Sequence, residues 1–258
     1  MNAVGQTSSG QLESGLFGSG RLIGVGVGPG DPDLLTLKAV RALETADVVA
    51  YFAKAGNASN ARAIVARFLR PGVVELPLLY PVTTEQPSDG PLYRSAIQDF
   101  FDASATAVAA HLEAGRTVAV LSEGDPLFFG SYMHLHIRLM KRFPTDVIPG
   151  VTAMSGCWSA AGLAIAQGDD VLTVMPGTLD EPELTRRLQQ NDPTVVMKIG
   201  RNLSKVRRAI MAAGRLSSAT YIERGTMNNE QHMPLRDKTD DAAPYFAIVL
   251  VAGRWGNP

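Results

Sequence analysis

A chain of 258 residues, 45% hydrophobic and 19% charged, is long enough to bury a sizeable core in one or two globular domains. A formal net charge of -1 offers no basic field for nucleic acid, and a single cysteine, Cys157, excludes an intrachain disulfide and a four-cysteine metal site. No apolar run reaches the ~18 residues of a membrane span and no basic-then-apolar leader opens the chain, so neither a membrane nor a nucleic acid is expected as partner, and a cytoplasmic location is the default.

Residues 1–20, rich in Gly, Ser and Gln, read as an arm outside the fold. "RLIGVGV" from Arg21 is a strand. "DLLTLKAVRALETA" has the helical period through Leu34, Leu37, Ala42 and Leu43, with Asp31 as cap and Pro32 at the first helical position. "DVVAYFA" is a strand, "ARAIVARFL" a helix that ends before Pro71-Gly72, and "VVELPLL" a strand. "YPVTTEQPSDGP" reads as an irregular excursion. The long helix "LYRSAIQDFFDASATAVAAHLEAG" follows, then the buried strand "TVAVLS" and the turn "EGDPLFFGS".

The second half repeats the rhythm. "YMHLHIRLMKRF" is a helix, "TDVIP" a short strand and "VTAMSGCWSAAG" a helix of small residues. "DVLTVMP" and "PTVVMKI" are strands flanking a helix around Glu183–Gln190. "LSKVRRAIMAAG" is a helix, "ATYIER" a strand, and "PYFAIVLVAG" a closing strand. Alternating strands and helices predict an α/β fold with largely parallel sheets. At this length two α/β domains are favoured, 21–128 and 129–258, over one large doubly wound domain.

Three stretches carry possible chemistry. The turn at Gly24, Gly26, Gly28 and Gly30 resembles a dinucleotide fingerprint, but Pro29 and Asp31 break G-x-G-x-x-G, and the second strand ends without an acidic residue for a ribose. The P-loop Gly-Lys-Ser/Thr is also absent. Asp31 would repel phosphate at the helix start, so the turn disfavours an anion and permits a cationic or zwitterionic ligand. A second Gly-Asp-Pro follows the strand "TVAVLS" at Gly124. Ligands of open α/β sheets sit at strand carboxyl ends, so the two turns could face one crevice. Each is equally readable as an ordinary helix start. The third stretch, Val147–Gly162, permits close approach of a ligand or simply of another helix.

Other signals are weaker. His134 and His136 do not share a helix face, His111 and His232 are isolated, and no H-E-x-x-H or Cys/His set exists, so no metal site is expected. No G-x-S-x-G elbow occurs, and Cys157 among small residues reads as core. "KIGRNLSKVRR" reads as a solvated helix face, although Arg201 has the fork that suits a carboxylate.

The stretches "GVGPGDPDLLTLKA", "SEGDPLFFGS", "IPGVTAMSG" and "KIGRN", in this order, resemble the tetrapyrrole (corrin/porphyrin) methylase family. The resemblance covers roughly Arg21–Gly253, and "VVELPLLYPVTTE" looks like the branch that methylates C20 of precorrin-2. It implies two α/β domains with the methyl donor S-adenosylmethionine folded between them, S-adenosylhomocysteine as product, and usually a homodimer. Carried over by motif, Pro29 borders the active cleft, and Gly124, Asp125, Phe128, Ser131 and Tyr132 line the donor. Thr152 and Ala153 lie in the cofactor-facing turn, and Met197, Lys198, Ile199, Pro244, Tyr245 and Ala247 are weaker placements. Gly28, Gly30 and Arg201 fall to the tetrapyrrole substrate, and Asp31 is the candidate general base, or a helix cap only. Glu123 departs from the family's usual Gly or Ser before Gly-Asp-Pro. The alternatives are methylation of a cobalt-containing factor II in the anaerobic route, methylation at another family member's carbon or of uroporphyrinogen, a nicotinamide-dependent oxidoreductase using the glycine turn, and a non-catalytic binding protein.

Overall fold

The computed structural model describes residues 20–81 and 91–253. The expected arm, apart from Gly20, and most of the expected excursion lie outside the described residues. The first half builds one sheet from β1 (Arg21–Gly26), β2 (Val48–Lys54), β3 (Val74–Tyr80), β4 (Thr117–Ser122) and β5 (Thr145–Ile148). The order is β3-β2-β4-β1-β5 and every pairing is parallel. Parallel strands need crossovers, and helices supply most of them: α1 (Leu37–Thr45), α2 (Asn60–Ile64), α3 (Pro91–Glu113) and α4 (Tyr132–Leu139). Such a sheet is buried on both faces, which is why β1 and β4 are near-continuous apolar runs. Leu22, Val118 and Val120 pack with α3 and α4, while Val25, Ala119 and Leu121 pack with α1 and α2.

The second half comprises α5 (Ala153–Ala160), β6 (Thr173–Pro176), α6 (Glu181–Leu188), β7 (Thr194–Met197), α7 (Leu203–Ala212), β8 (Ala219–Glu223), β9 (Gln231–Pro234) and β10 (Ala247–Val251). Its sheet order is β6-β7-β10-β8-β9. Here the expectation of largely parallel sheets is corrected. Only β6 and β7 pair in parallel; β7–β10, β10–β8 and β8–β9 are antiparallel. The helical crossovers α6 and α7 keep β6, β7 and β8 in one direction. β9 turns back beside β8 with no α-helix between them, and β10 enters between β7 and β8, running in the same direction as β9. Buried Arg215 joins the pieces, donating to the carbonyls of Leu188, Asp192 and Ala252.

Other differences have local causes. The expected helix from Asp33 begins at Leu37, because Thr36 caps it by accepting from the Ala39 N–H (3.1 Å). Asp31 caps a separate 3-10 turn, Pro32–Leu34. The helix expected over Ala61–Leu69 splits into α2 and a 3-10 turn at Ala66–Phe68. Strand β9 was not expected: Gln231–Pro234 is polar and mostly exposed, with no apolar alternation. The chain changes sheets beyond Ile148, because β5 pairs with β1 and α4 packs on the first core. The expected division at 128/129 does not coincide with that change.

Candidate functional site

The site grows from the carboxyl ends of β1 and β4, which are direct neighbours with Gly26 opposite Ser122. Both strands therefore deliver their Gly-Asp-Pro turns to the same edge. The turns are bonded to each other: Gly124 N–H donates to the Gly28 carbonyl (2.8 Å), and Gly28 N–H to the Gly124 carbonyl (3.3 Å). Gly28 and Gly124 have φ of +77° and +65°, the left-handed region open to glycine.

The turn after β5 closes the cradle. A Cβ on Gly150 would lie 2.1 Å from the Gly124 carbonyl oxygen and 2.9 Å from Gly26 backbone. Three glycines from three strand ends thus touch backbone to backbone. Asp125 fastens the arrangement, with one carboxylate oxygen accepting from Gly150 N–H (3.1 Å) and the other from Leu127 N–H (2.9 Å). The two turns therefore lie side by side, and the third motif joins them. Gly124 lies against Thr152 and Ala153 at the start of α5, which Thr152 caps through the Ser155 N–H (3.3 Å).

Asp31 accepts from Asp33 N–H (2.8 Å), so its capping role is real. Its half-buried side chain also borders a cleft of about 350 Å³. The cleft is walled by Leu34, by Ser155 and Gly156 of α5, and by Thr226 and Glu230 from the segment between β8 and β9. Thr226 and Glu230 carry no sequence motif and were missed. Thr226 is held at φ +70°, and Arg224 two residues before it at +51°. Such conformations cost about 1–3 kcal/mol each in non-glycine residues and persist only where the surroundings enforce them. Asp31 and Glu230 give the cleft two carboxylates, an environment that favours a cation and repels phosphate. Among the described residues no arginine borders it.

Glu123 turns away from that cleft. It accepts from Ala61 N–H (3.2 Å) in the first turn of α2. Burial pushes its carboxyl above the usual carboxylate range, outweighing the hydrogen bonds that favour the charged form. A carboxyl raised on folding adds stability that is complete below its unfolded value and is lost as pH rises through the folded one. Glu123→Gln keeps an acceptor for Ala61 and cannot ionise. It should therefore raise the melting temperature at pH 8 and leave it near wild type at pH 4, measured by calorimetry. A lower melting temperature at pH 8 contradicts this assignment.

The remaining expected residues divide. Phe128 and Ser131 continue the loop after Asp125, and Ser131 Oγ is hydrogen-bonded to the Tyr80 hydroxyl. The next residue, Tyr132, is fully buried; its ring fills the space a Cβ on Gly24 would need, so its side chain belongs to the first core. Met197 ends β7. Lys198 follows at φ +56° and places its ammonium 4.8 Å from the Phe129 ring centroid, linking the two halves. Ile199 is fully buried in the second core. Arg201 is exposed on the 3-10 turn Gly200–Asn202. Pro244 is half-buried, Tyr245 is exposed, and Ala247 is buried at the start of β10. These last residues are not among those bordering the Asp31 cleft.

Comparison with known proteins places the chain in a family. The chain is 66% identical over 241 residues to a precorrin-2 C(20)-methyltransferase from Sinorhizobium, covering 93% of this chain and 98% of that protein. It is 28% identical over 240 residues to a cobalt-precorrin-2 C(20)-methyltransferase from Salmonella typhimurium, covering 92% and 98%. The fold matches a solved uroporphyrin-III C-methyltransferase from Thermus thermophilus, complexed with S-adenosylhomocysteine, at a TM-score of 0.64 and 24% identity, covering 90% and 97%. Residues 21–239 match the model of one family from the first glycine strand to beyond β9, and the chain belongs to it: the tetrapyrrole (corrin/porphyrin) methylases.

Proposed function

We propose that the protein transfers the methyl group of S-adenosylmethionine to C20 of precorrin-2 in cobalamin biosynthesis. The observation that carries this reading is the 66% identity, over nearly the full length of both chains, to an enzyme of that name. The cobalt-loaded substrate of the anaerobic route is the second reading, supported by a relative at only 28% identity. The residues fit a cationic donor. The cleft carries two carboxylates and no phosphate-binding motif.

The donor brings a sulfonium already activated for attack, so the protein need not supply a nucleophile. The meso carbon of the reduced ring attacks the methyl carbon. A C–C bond forms, the C–S bond breaks, and the electron pair remains on sulfur in S-adenosylhomocysteine. Alignment of the two reactants is the protein's main contribution, worth up to about 7–11 kcal/mol in favourable cases. Pro29, Gly124, Asp125, Phe128, Ser131, Thr152 and Ala153 are assigned to the donor side. Gly28 and Gly30 are assigned to the ring side. Asp31, half-buried at the cleft, accepts the proton released after methylation. Met197, Lys198, Pro244, Tyr245 and the backbone of Ile199 and Ala247 are secondary donor contacts, and Arg201 is assigned to a substrate carboxylate. A homodimer acting in the cytoplasm completes the proposal; light scattering after size-exclusion chromatography tests the dimer.

The decisive experiment incubates the protein with enzymatically made precorrin-2 and S-adenosylmethionine carrying a 13C methyl group, followed by NMR. The label is expected at C20, and at a higher rate with metal-free than with cobalt-loaded substrate. Label at another carbon overturns the assignment. The oxidoreductase reading separates by melting temperature, and the binding-protein reading by the methyl transfer itself. S-Adenosylhomocysteine at about 100 times its Kd should add roughly 2.7 kcal/mol of stability. NAD(H) should add none.

A further inference from the structure

We propose that Glu230 is a positioning residue for Asp31, acting through the strained Thr226. The inference rests on the reading of Asp31 as the proton acceptor. The connection is continuous. Glu230 Oε2 accepts from Thr226 N–H at 2.6 Å, and Thr226 Oγ1 accepts from Asp31 N–H at 3.3 Å. A charged acceptor on a backbone N–H is among the stronger hydrogen bonds, and this one is short. It is made at the residue whose backbone most needs holding, a β-branched side chain at φ +70°.

The strain has a use. Thr226 sits where two glycines from opposite halves of the chain leave room. A Cβ on Gly30 would lie 3.2 Å from Thr226 Oγ1 and 2.4 Å from Met227 Cγ. A Cβ on Gly156 would lie 3.0 Å from Thr226 Cγ2 and 2.6 Å from Pro29 Cγ. Thr226 is thus wedged between the first glycine turn and α5, with its hydroxyl on the backbone of Asp31. In a relaxed backbone the hydroxyl would leave that position. Local backbone bonds, Met227 N–H to the Arg224 carbonyl (2.9 Å) and Glu230 N–H to the Met227 carbonyl (3.0 Å), shape the loop. Glu230 supplies the side-chain tie to Thr226 itself. Its other oxygen lies 3.6 Å from His232 Nδ1.

A residue that only stabilised the loop would lower the melting temperature and leave turnover per folded molecule unchanged. A positioning residue changes kcat, because small misplacements of a reacting group can cost up to about 100-fold in rate. The test measures kcat, KM for S-adenosylmethionine, the Kd of S-adenosylhomocysteine and melting temperature for Glu230→Ala, Glu230→Gln, Thr226→Val and Asp31→Asn, and for Glu230→Ala combined with Asp31→Asn. Glu230→Ala and Thr226→Val should each lower kcat by about 10–100-fold, with Kd and KM changed far less. Glu230→Gln retains an acceptor oxygen and should restore most of kcat. On the Asp31→Asn background, Glu230→Ala should cost little more, because positioning then has nothing left to position. An unchanged kcat in Glu230→Ala and Thr226→Val, or a full multiplicative loss on the Asp31→Asn background, overturns the inference. Should Glu230→Ala fail to fold, Thr226→Val alone carries the test. If Asp31→Asn itself leaves kcat unchanged, the reading of Asp31 as the base fails, and that outcome is separate from the behaviour of Glu230.

Discussion

Asp31→Asn should lower methyl transfer by about 10²–10⁴-fold, the usual contribution of a positioned general base, while leaving the protein nearly as stable as wild type. The two roles of Asp31 separate in this variant. As a cap, the side chain needs only an oxygen that accepts from Asp33 N–H, and asparagine caps about as well as aspartate. As a base, it needs a lone pair that can take up a proton, which an amide lacks. Asp31→Ala removes both functions and should add a loss of about 1 kcal/mol in stability. Initial rates per folded molecule and thermal melts measure the two effects. Full activity in Asp31→Asn with reduced stability in Asp31→Ala would leave Asp31 as a cap only.

Gly150→Ala should have the largest effect on stability. The added methyl carbon would meet the Gly124 carbonyl oxygen at 2.1 Å and Gly26 backbone at 2.9 Å. The colliding atoms are main chain, so no rotamer change relieves the contact. Overpacking of this kind costs about 1–3 kcal/mol, occasionally more. At this chain length each kcal/mol is about 2–4 °C in melting temperature. The same change would push apart the Gly28–Gly124 bridge, so S-adenosylhomocysteine should also bind more weakly. Gly200→Ala is the control, because a Cβ there has no neighbour within 4 Å. Equal melting temperatures for the two variants would show that the three strand ends can separate without cost.

The sequence was most legible where chemistry and local geometry coincide. "TVAVLS" is β4 to the residue, because a parallel strand buried on both faces is an unbroken apolar run. The two Gly-Asp-Pro turns were visible as turns, and their pairing followed from the rule that ligands gather at strand carboxyl ends. Strand direction in the second sheet was not legible. Periodicity reports which face of a strand is buried but not its neighbours, and β10 pairs with β7 and β8 only because it inserts between them. Thr226 and Glu230 were hidden for a different reason. Their significance lies in what Gly30 and Gly156 omit, and that is defined only once both halves of the chain meet. Tyr132 shows the reverse case: it adjoins a motif, but its side chain packs behind Gly24.

The place of β10 bears on the order in which the molecule can be made. The first sheet has all five strands once Ile148 has been synthesised. The second cannot join β7 to β8 until Ala247–Val251 emerges, because that segment lies between them. On the ribosome the first half can therefore settle while β6, β7 and β8 wait with an open seam. Pairings between distant parts of a chain form slowly and leave apolar edges exposed in the meantime. The segment that ends the described chain thus acts as the keystone of the second sheet. A nascent chain stalled before Ala247 should bury its first core and leave its second open to chaperones and proteases.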